Sequence, residues 1–357
     1  MHIHSIPAAE STGDIVAAWN GLLDANSALG SPYYRPEFTR AVAAVRDDVR
    51  IALFEERDEI VGVLPFQRGR FGAGQPVGGR LNDFHGAIVK PGASWTADEF
   101  LRGCRLGSWW FSHLPAEQCE HGFSAHEVME SHYLDLSRGY ESYKTARREA
   151  GTREIAKLDR KLRQIEREVG PLRFETHTDD RDVFHTLLEW KSEQYRATNL
   201  ADVFAYPWTV ELLERILAYR EPDFRGVLSA LYADEKLIAV HYGMQSAGVM
   251  HSWFPAYSRA YDKYSPGLML MLKIAEAHEA MGISRIDLGG GREQYKLSLS
   301  SGFDMVAEGC VARHSIRPML RSAWRRGRDW VRSSPLRRPA EALLAALRPM
   351  REWWSFR

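Results

Sequence analysis

The chain has 357 residues, a mass of 40.7 kDa, 45% hydrophobic residues and equal numbers of acidic and basic side chains. This length and composition predict two globular domains and exclude a disordered chain. No apolar run is long enough to span a bilayer, and the first residues lack the pattern of a signal peptide, so a cytoplasmic location is expected. Three cysteines without a CxxC pair favour a reducing compartment and no structural metal: Cys104, Cys119 and Cys310.

The first half begins with two histidines and then repeats a pattern found later in the chain. His2 and His4 alternate near the start and could bind a metal, but an incidental pair is the favoured interpretation. Residues 51–56 and 59–66 predict a β-hairpin, and residues 230–240 show a similar apolar hairpin pattern one domain length later. This spacing is what two copies of one fold would give.

A candidate acid–base pair follows the first hairpin. Asp83 and His85 alternate within residues 81–89, which have the pattern of a strand. A period of two places both side chains on the same side, where a carboxylate and an imidazole could share a proton. A polar strand edge or a turn aspartate is the alternative interpretation.

Two helices are predicted in the middle of the chain. Residues 96–111 predict a helix capped by Thr96, and residues 142–169 predict one long charged helix with a narrow apolar stripe. The long helix is expected to bridge two domains. The predicted divisions are residues 1–138 for the first domain, 139–170 for the bridge, 171–316 for the second domain and 317–357 for a tail.

The second domain contains the most informative stretch of the sequence, a predicted series of strands with a helix between them. Residues 237–242 and 249–254 predict two antiparallel strands, residues 268–281 a largely buried helix, and residues 283–288 a further strand that ends in a glycine turn. Ser265 is expected to cap the helix, with Pro266 at its first position. The N-terminus of this helix is a candidate anion site, with an ordinary capped core helix as the alternative.

Three short motifs in the second half carry a family resemblance. They are Ser265-Pro266-Gly267, Ile286-Asp287-Leu288-Gly289 and Tyr295-Lys296. In this order and spacing they resemble the GNAT superfamily of acyltransferases, specifically the group named after the cellulose-biosynthesis protein CelD, which is related to the FemAB peptidyltransferases. The resemblance covers most of residues 35–312.

The resemblance implies a fold and a donor. The fold is α/β (α+β), with two tandem GNAT-like domains whose mixed sheets are flanked by helices. The pyrophosphate of an acyl-coenzyme A would lie at the strand-to-helix junction of the second domain, formed by Tyr264, Ser265, Pro266, Gly267 and Leu268. Residues 262–267 depart from the usual GNAT phosphate loop, which has an Arg or Gln followed by a spaced Gly-x-Gly or Gly-x-Ala. FemAB relatives use aminoacyl-tRNA, so the donor can differ.

The candidate catalytic residues suit direct acyl transfer. The sequence has no G-x-S-x-G elbow and no legible Cys-His pair, so direct attack by the acceptor is favoured over a covalent enzyme intermediate. His241, in mid-strand, is a candidate base, with a satisfied core histidine as the alternative, and Asp83 is another candidate. Asp287 would orient a base or accept a substrate hydroxyl. The resemblance implies a tyrosine as the acid that protonates the departing thiolate, and Tyr295 and Lys296 are the candidates. Tyr295 lies seven residues before Gly302, where the family has four, so the role could instead belong to Lys296, to Ser298 at the usual spacing, or to water.

The expected activity is transfer of an acyl group, with acetyl favoured, from acyl-coenzyme A to an amine or hydroxyl of a sugar or cell-envelope precursor. The alternatives are a FemAB-like transferase that uses aminoacyl-tRNA and a non-catalytic accessory subunit of a polysaccharide-synthesis assembly. No metal is expected. Residues 317–357 carry eleven arginines against three acidic residues and four tryptophans, a pattern that favours peripheral contact with an anionic membrane. Packing on the second domain is the alternative, and nucleic acid is a third only with a tRNA donor.

Overall fold

A computed structural model describes residues 1–291 and 293–313. The predicted tail, residues 317–357, lies outside the described residues. The strands are β1 (His2–Pro7), β2 (Val49–Glu56), β3 (Glu59–Arg68), β4 (Ala73–Pro76), β5 (Ile88–Val89), β6 (Ser108–Pro115), β7 (Ala125–Asp135), β8 (Leu172–Glu175), β9 (Arg220–Glu221), β10 (Phe224–Ala233), β11 (Lys236–Ser246), β12 (Val249–Tyr257), β13 (Arg285–Gly290) and β14 (Gly302–Ala312). The helices are α1 (Gly13–Asp24), α2 (Pro36–Ala43), α3 (Ala97–Gly103), α4 (Tyr140–Glu149), α5 (Glu154–Glu168), α6 (Arg181–Ala197), α7 (Pro207–Ala218), α8 (Pro266–Glu276), α9 (His278–Met281) and α10 (Gln294–Leu299).

The described residues form two compact units that do not follow the chain in simple order. Unit 1 contains residues 1–25, 42–128 and 307–313, and unit 2 contains residues 26–41 and 129–306. The predicted bridging segment, residues 139–170, therefore lies within unit 2. Among the described residues, no helix combines the length and apolar character needed to cross a membrane.

Unit 1 is a mixed sheet with helices against it. Its strands are ordered β1-β2-β3-β4-β6, and β5 also pairs with β3. β4 pairs parallel with β6, whereas the pairs β1–β2, β2–β3, β3–β4 and β3–β5 are antiparallel. Aromatic rings fill the core, where Phe66, Phe100 and Trp109 meet edge to face and are each fully buried.

Unit 2 repeats the mixed arrangement. Its strands are ordered β7-β13-β12-β11-β10-β8, with β9 on β10, and β12 and β13 form its parallel pair among the described strands. The core combines buried strand residues with buried residues of α8 and with Leu158 and Ile165 of α5. The apolar stripe of the predicted bridging helix therefore packs into unit 2.

The predicted hairpin repeat is present in both units. In unit 1, β2 pairs antiparallel with β3, and in unit 2, β10 pairs antiparallel with β11. A second hairpin joins β11 to β12 through Ala247 and Gly248, whose φ angles are both positive. Two positive φ angles suit a two-residue turn that matches strand twist, which explains why both strands are longer than predicted.

Several predicted elements have different boundaries. The helix expected over residues 142–169 is two helices, α4 and α5, because Gly151 adopts a left-handed conformation between them. The helix expected over residues 96–111 ends at Gly103, and the aromatic residues after it form β6. The prediction was wrong there because aromatic side chains favour strands. The helix expected up to residue 281 begins at Pro266, as predicted, but it is interrupted at Ala277.

Candidate functional site

Two parallel strands of unit 2 separate partway along their length. β12 has nine residues and β13 has six, but they pair only from Val249 with Arg285 to His251 with Asp287. Beyond that point, residues of β12 pair with β11 and residues of β13 pair with β7. The divergence leaves an opening in the sheet, where an extended ligand could bind to backbone groups as a strand would.

The N-terminus of α8 follows β12 in the chain, and a lysine of α5 contacts it. The Lys161 side chain of α5 donates a hydrogen bond of 2.7 Å to Ser265 Oγ. Leu268 and Met269 N–H both donate to the Ser265 carbonyl oxygen, and Pro266 has no N–H. The Gly267 N–H and the Lys161 ammonium therefore concentrate positive charge at the positive end of the helix, which favours an anion there.

Ser265 occupies the cap position in an unexpected conformation. Its φ and ψ are 60° and 55°, in the left-handed region, and its side chain makes no capping hydrogen bond to the helix. The predicted side-chain cap is therefore wrong, although Pro266 does begin the helix. Because the hydroxyl is not used for capping, it serves to hold Lys161.

A neighbouring ion pair fixes α5 against the loop before α8. Tyr264 Oη donates a 2.6 Å hydrogen bond to Glu168 Oε2, and Lys263 Nζ donates to the same oxygen at 3.0 Å. The Tyr264 hydroxyl, with Gln164 and Lys263, lowers the pKa of Glu168 to about 2. Lys263 is thereby paired with a carboxylate, whereas Lys161 donates its hydrogen bond to a neutral hydroxyl, that of Ser265.

Two lysines from helices donate hydrogen bonds to backbone carbonyl oxygens of the strand segments beyond the divergence. Lys296 Nζ donates to the Gly290 carbonyl oxygen at the end of β13 at 2.6 Å, and its side chain is 9% exposed. Lys191 Nζ of α6 donates to the Pro255 carbonyl oxygen of β12 at 3.3 Å. Burial, and then the charge of Lys296, lower the pKa of Lys191 to about 8. Lys296 was predicted as a site residue, and Lys191 was not.

The two histidines beside the divergence are buried. His241 Nε2 lies 2.9 Å from Ser252 Oγ, and His251 is edge-on to Tyr33 with ring centroids 4.9 Å apart. Burial, with the neighbouring His251, lowers the pKa of His241 to about 3. The mid-strand position removes the ring from water, which disfavours its charged form, and His241 stays a predicted candidate base. A ring of such low basicity is a poor proton acceptor at neutral pH.

Asp287 pairs with His251 at the point where the parallel pairing of β12 with β13 ends. Its carboxylate is buried, and it accepts a 2.6 Å hydrogen bond from Arg285 Nε. Arg285 also pairs with Asp304 and stacks on the Tyr133 ring at 3.8 Å. Burial raises the pKa of Asp287 despite the opposing charges of Arg285 and His251. His251 contributes to the pKa shifts of both His241 and Asp287, so the three side chains lie within electrostatic range of one another.

The predicted Asp83–His85 pair in unit 1 does not form. Residues 82–87 are irregular, and the Asn82 side chain accepts a 2.8 Å hydrogen bond from Phe84 N–H. His85 is buried, and neither ring nitrogen has a hydrogen-bond partner within the described ranges. Burial, followed by His113, lowers the pKa of His85 to about 3. The strand prediction was wrong because an Asx turn replaces it, and Asp83 itself stays a predicted site residue.

Tyr295 lies in the first turn of α10 and is half-buried, next to Lys296 in the chain.

Three residues at this site were missed by sequence reasoning: Lys161, Lys191 and His251. Lys161 and Lys191 belong to helices whose charged residues are mostly solvent-exposed, so no local pattern marks them. His251 could have been found, because it lies in the predicted strand of residues 249–254, and that strand pairs with the strand that carries Asp287.

Comparison with known proteins identifies the type of domain. Residues 152–297 match the family model described as an acetyltransferase (GNAT) domain. This segment contains α5, Lys191, the α8 N-terminus, both diverging strands and Lys296. A search of curated proteins found no match to the chain.

Solved structures of several proteins are similar in fold to most of this chain. One is the C-terminal domain of a proposed lysylphosphatidylglycerol synthetase from Agrobacterium fabrum, with 13% identity, a TM-score of 0.54, and 88% of this chain and 96% of that chain covered. A tandem GNAT protein from the clavulanic acid biosynthesis pathway has 11% identity and a TM-score of 0.50, with 87% of this chain and 98% of that chain covered. FemX has 8% identity and a TM-score of 0.58, with 90% of this chain and 99% of that chain covered. At these identities the similarity concerns the fold, and the predicted tandem GNAT-like fold is confirmed.

Proposed function

We propose that this acyltransferase, whose GNAT domain spans residues 152–297, binds acyl-coenzyme A between the diverging strands β12 and β13. It transfers the acyl group, with acetyl favoured, to an amine or hydroxyl of a sugar or cell-envelope precursor. The observation that carries the proposal is the divergence of the strands after His251 and Asp287, with a cationic helix N-terminus beyond β12. The amides of the donor's extended arm would pair with the strand edges, and its phosphates would lie at α8.

The phosphate site consists of Tyr264, Ser265, Pro266, Gly267 and Leu268 together with Lys161. Backbone N–H groups and the helix dipole favour a phosphate, and the Lys161 ammonium adds a full charge. Gly267 also has little room for a side chain, because an added Cβ would lie 3.1 Å from the Tyr257 ring.

The chemical step is a direct displacement. The acceptor nitrogen or oxygen attacks the thioester carbonyl, its bond to carbon forms, the C–S bond breaks, and the acceptor proton ends on the thiolate. Negative charge develops first on the carbonyl oxygen and then on sulfur. Lys191 and Lys296 are the cationic groups beside the opening, and we assign them to stabilising this charge. Tyr295 or Lys191 would give a proton to the thiolate and would regain the proton that the acceptor loses. Asp287 accepts a hydrogen bond from Arg285 of the same strand.

Replacing Lys161 tests the donor site. Lys161→Gln is expected to weaken coenzyme A binding about 10-fold or more, because a charge-assisted phosphate contact is lost from a site that keeps its backbone N–H groups. Isothermal titration calorimetry with coenzyme A measures the effect. Lys157→Gln is the matched control, since Lys157 lies one turn earlier on α5 and pairs with Glu154. Equal coenzyme A affinities in the two variants would exclude Lys161 from the phosphate site.

The pH dependence tests the role of Lys191. If its ammonium is the active form, kcat should fall about 10-fold between pH 7 and pH 9, because a group with a pKa near 8 loses its proton in that range. Lys191→Arg, which stays charged, should show a smaller fall. Steady-state kinetics of both proteins over this range give the comparison. A wild-type rate that rises through pH 8 would instead assign Lys191 as a base.

The principal alternative is an aminoacyl-tRNA donor, which the FemAB resemblance implies and which the similarity to FemX favours. Binding of aminoacyl-tRNA in place of coenzyme A, measured in the same titration, would select it. Loss of turnover with any donor, with binding retained, would favour an accessory subunit of a polysaccharide-synthesis assembly. A cytoplasmic location, with membrane contact through residues 317–357, completes the proposal.

A further inference from the structure

The edge strand of unit 1 carries three metal-ligand side chains on one face. His2 and His4 alternate on β1, so both point to the same face. In the antiparallel register, His2 lies opposite Glu55 of β2, which places the Glu55 side chain on that face as well. The sequence alone showed a histidine pair, and the strand pairing adds the carboxylate.

The side-chain distances fit a single ion. One ligand atom from each of His2, His4 and Glu55 can be chosen so that all three lie within 4.8 Å of one another. His4 Nδ1 lies 3.6 Å from Glu55 Oε2. Two ligands of a tetrahedral zinc ion, each about 2.1 Å from the metal, lie about 3.4 Å apart. The His4–Glu55 separation therefore already matches, and a small rotation of His2 would complete the set.

The environment of His4 also indicates a ligand. Its Nδ1 atom is buried and has no hydrogen-bond partner within the described residues, although it faces a carboxylate. The side chains of His4 and Glu55 are 36% and 30% exposed, so an ion and a water ligand can reach them. The His2 and His4 rings are stacked with centroids 5.2 Å apart. Two neutral imidazoles and one carboxylate form a donor set that suits zinc and not magnesium.

We propose that His2, His4 and Glu55 bind a zinc-like divalent cation that fastens the edge strand β1 to β2. The three side chains supply two nitrogens and one oxygen, and water completes the coordination. Because the ligands come from paired strands, the ion would link residues that are far apart in the chain. This site is independent of the proposed donor site, since all three ligands lie in unit 1.

The test is zinc titration of the full chain after removal of any affinity tag. Competition with a chromophoric chelator should give one zinc ion per wild-type chain. His4→Gln and Glu55→Gln should each weaken binding at least 10-fold, and magnesium should not compete. His185→Gln is the matched control, because His185 is exposed on α6 in unit 2 and should bind zinc as the wild type does.

Two further measurements separate this site from the cysteines and from general effects on folding. Cobalt should give a d–d spectrum without the charge-transfer band of thiolate ligands. Zinc should raise the melting temperature of the wild type and of His185→Gln, but not that of His4→Gln. No zinc binding tighter than about 10 μM in the wild type, or unchanged binding in His4→Gln, would overturn the proposal.

Discussion

Lys296→Met is expected to lower kcat by about 10²–10³-fold, with the protein still folded. Lys296 is buried, and its ammonium lies 2.6 Å from the carbonyl oxygen of Gly290, at the end of β13. A charge in this position stabilises an anion that forms beside it more strongly than a solvated charge would. Methionine keeps much of the side-chain volume and removes the charge. Single-turnover kinetics with saturating donor would measure the chemical step.

The control is a lysine from a different helix of the same unit. Lys273→Met removes a charge from α8, where Lys273 pairs with Glu276, and it should leave kcat within about twofold of the wild type. Donor affinity should change little in Lys296→Met, because the phosphate site is formed by other residues. Unchanged kcat in Lys296→Met would exclude Lys296 from charge stabilisation, whereas lost donor binding would assign it to the donor site.

Arg285→Met is expected to destabilise unit 2 by about 3–5 kcal/mol. Arg285 neutralises the buried carboxylate of Asp287, pairs with Asp304 and stacks on Tyr133. Methionine would leave Asp287 buried beside another carboxylate without a counter-charge. The loss should appear as a lower denaturant midpoint for the transition that a unit 2 fluorescence probe reports.

The dependence on pH and a second variant identify the cause of that loss. The pKa of Asp287 is already raised by burial, so the folded state holds its proton more tightly than the unfolded state does. Stability therefore falls as pH rises from about 4 through the raised pKa, and the deficit of Arg285→Met should be larger at pH 8 than at pH 5. Arg285→Met combined with Asp287→Asn should recover much of the loss. An equal deficit at both pH values would indicate lost packing.

The sequence was most informative where periodicity and turn chemistry agree. The hairpins β2–β3 and β10–β11 were predicted from short apolar runs on either side of a charged turn, and α8 from its proline start and apolar content. Boundaries failed where one residue decided the geometry. Gly151 divides the long charged helix, and the aromatic run after Gly103 becomes β6. A helical pattern alone does not carry this information.

The candidate site was only partly predictable for a different reason. Asp287, Lys296 and the α8 N-terminus stand in short motifs, whereas Lys161 and Lys191 come from distant helices. Which lysine of a charged helix faces inward depends on how that helix packs. The pKa of His241 likewise depends on burial from neighbouring strands, which no local pattern reveals.

The separation of β12 from β13 has a consequence for the solution behaviour of the protein. Among the described strands, Ser252 and residues 254–257 pair with β11 alone, and Gly289 and Gly290 pair with β7 alone, which gives the sheet two short edges where β12 and β13 separate. Strand edges can pair with a strand from another chain and so promote self-association. A donor arm bound along these edges would cover them. We therefore expect the cellular concentration of the donor to influence the fraction of the protein that does not self-associate, in addition to any effect on turnover.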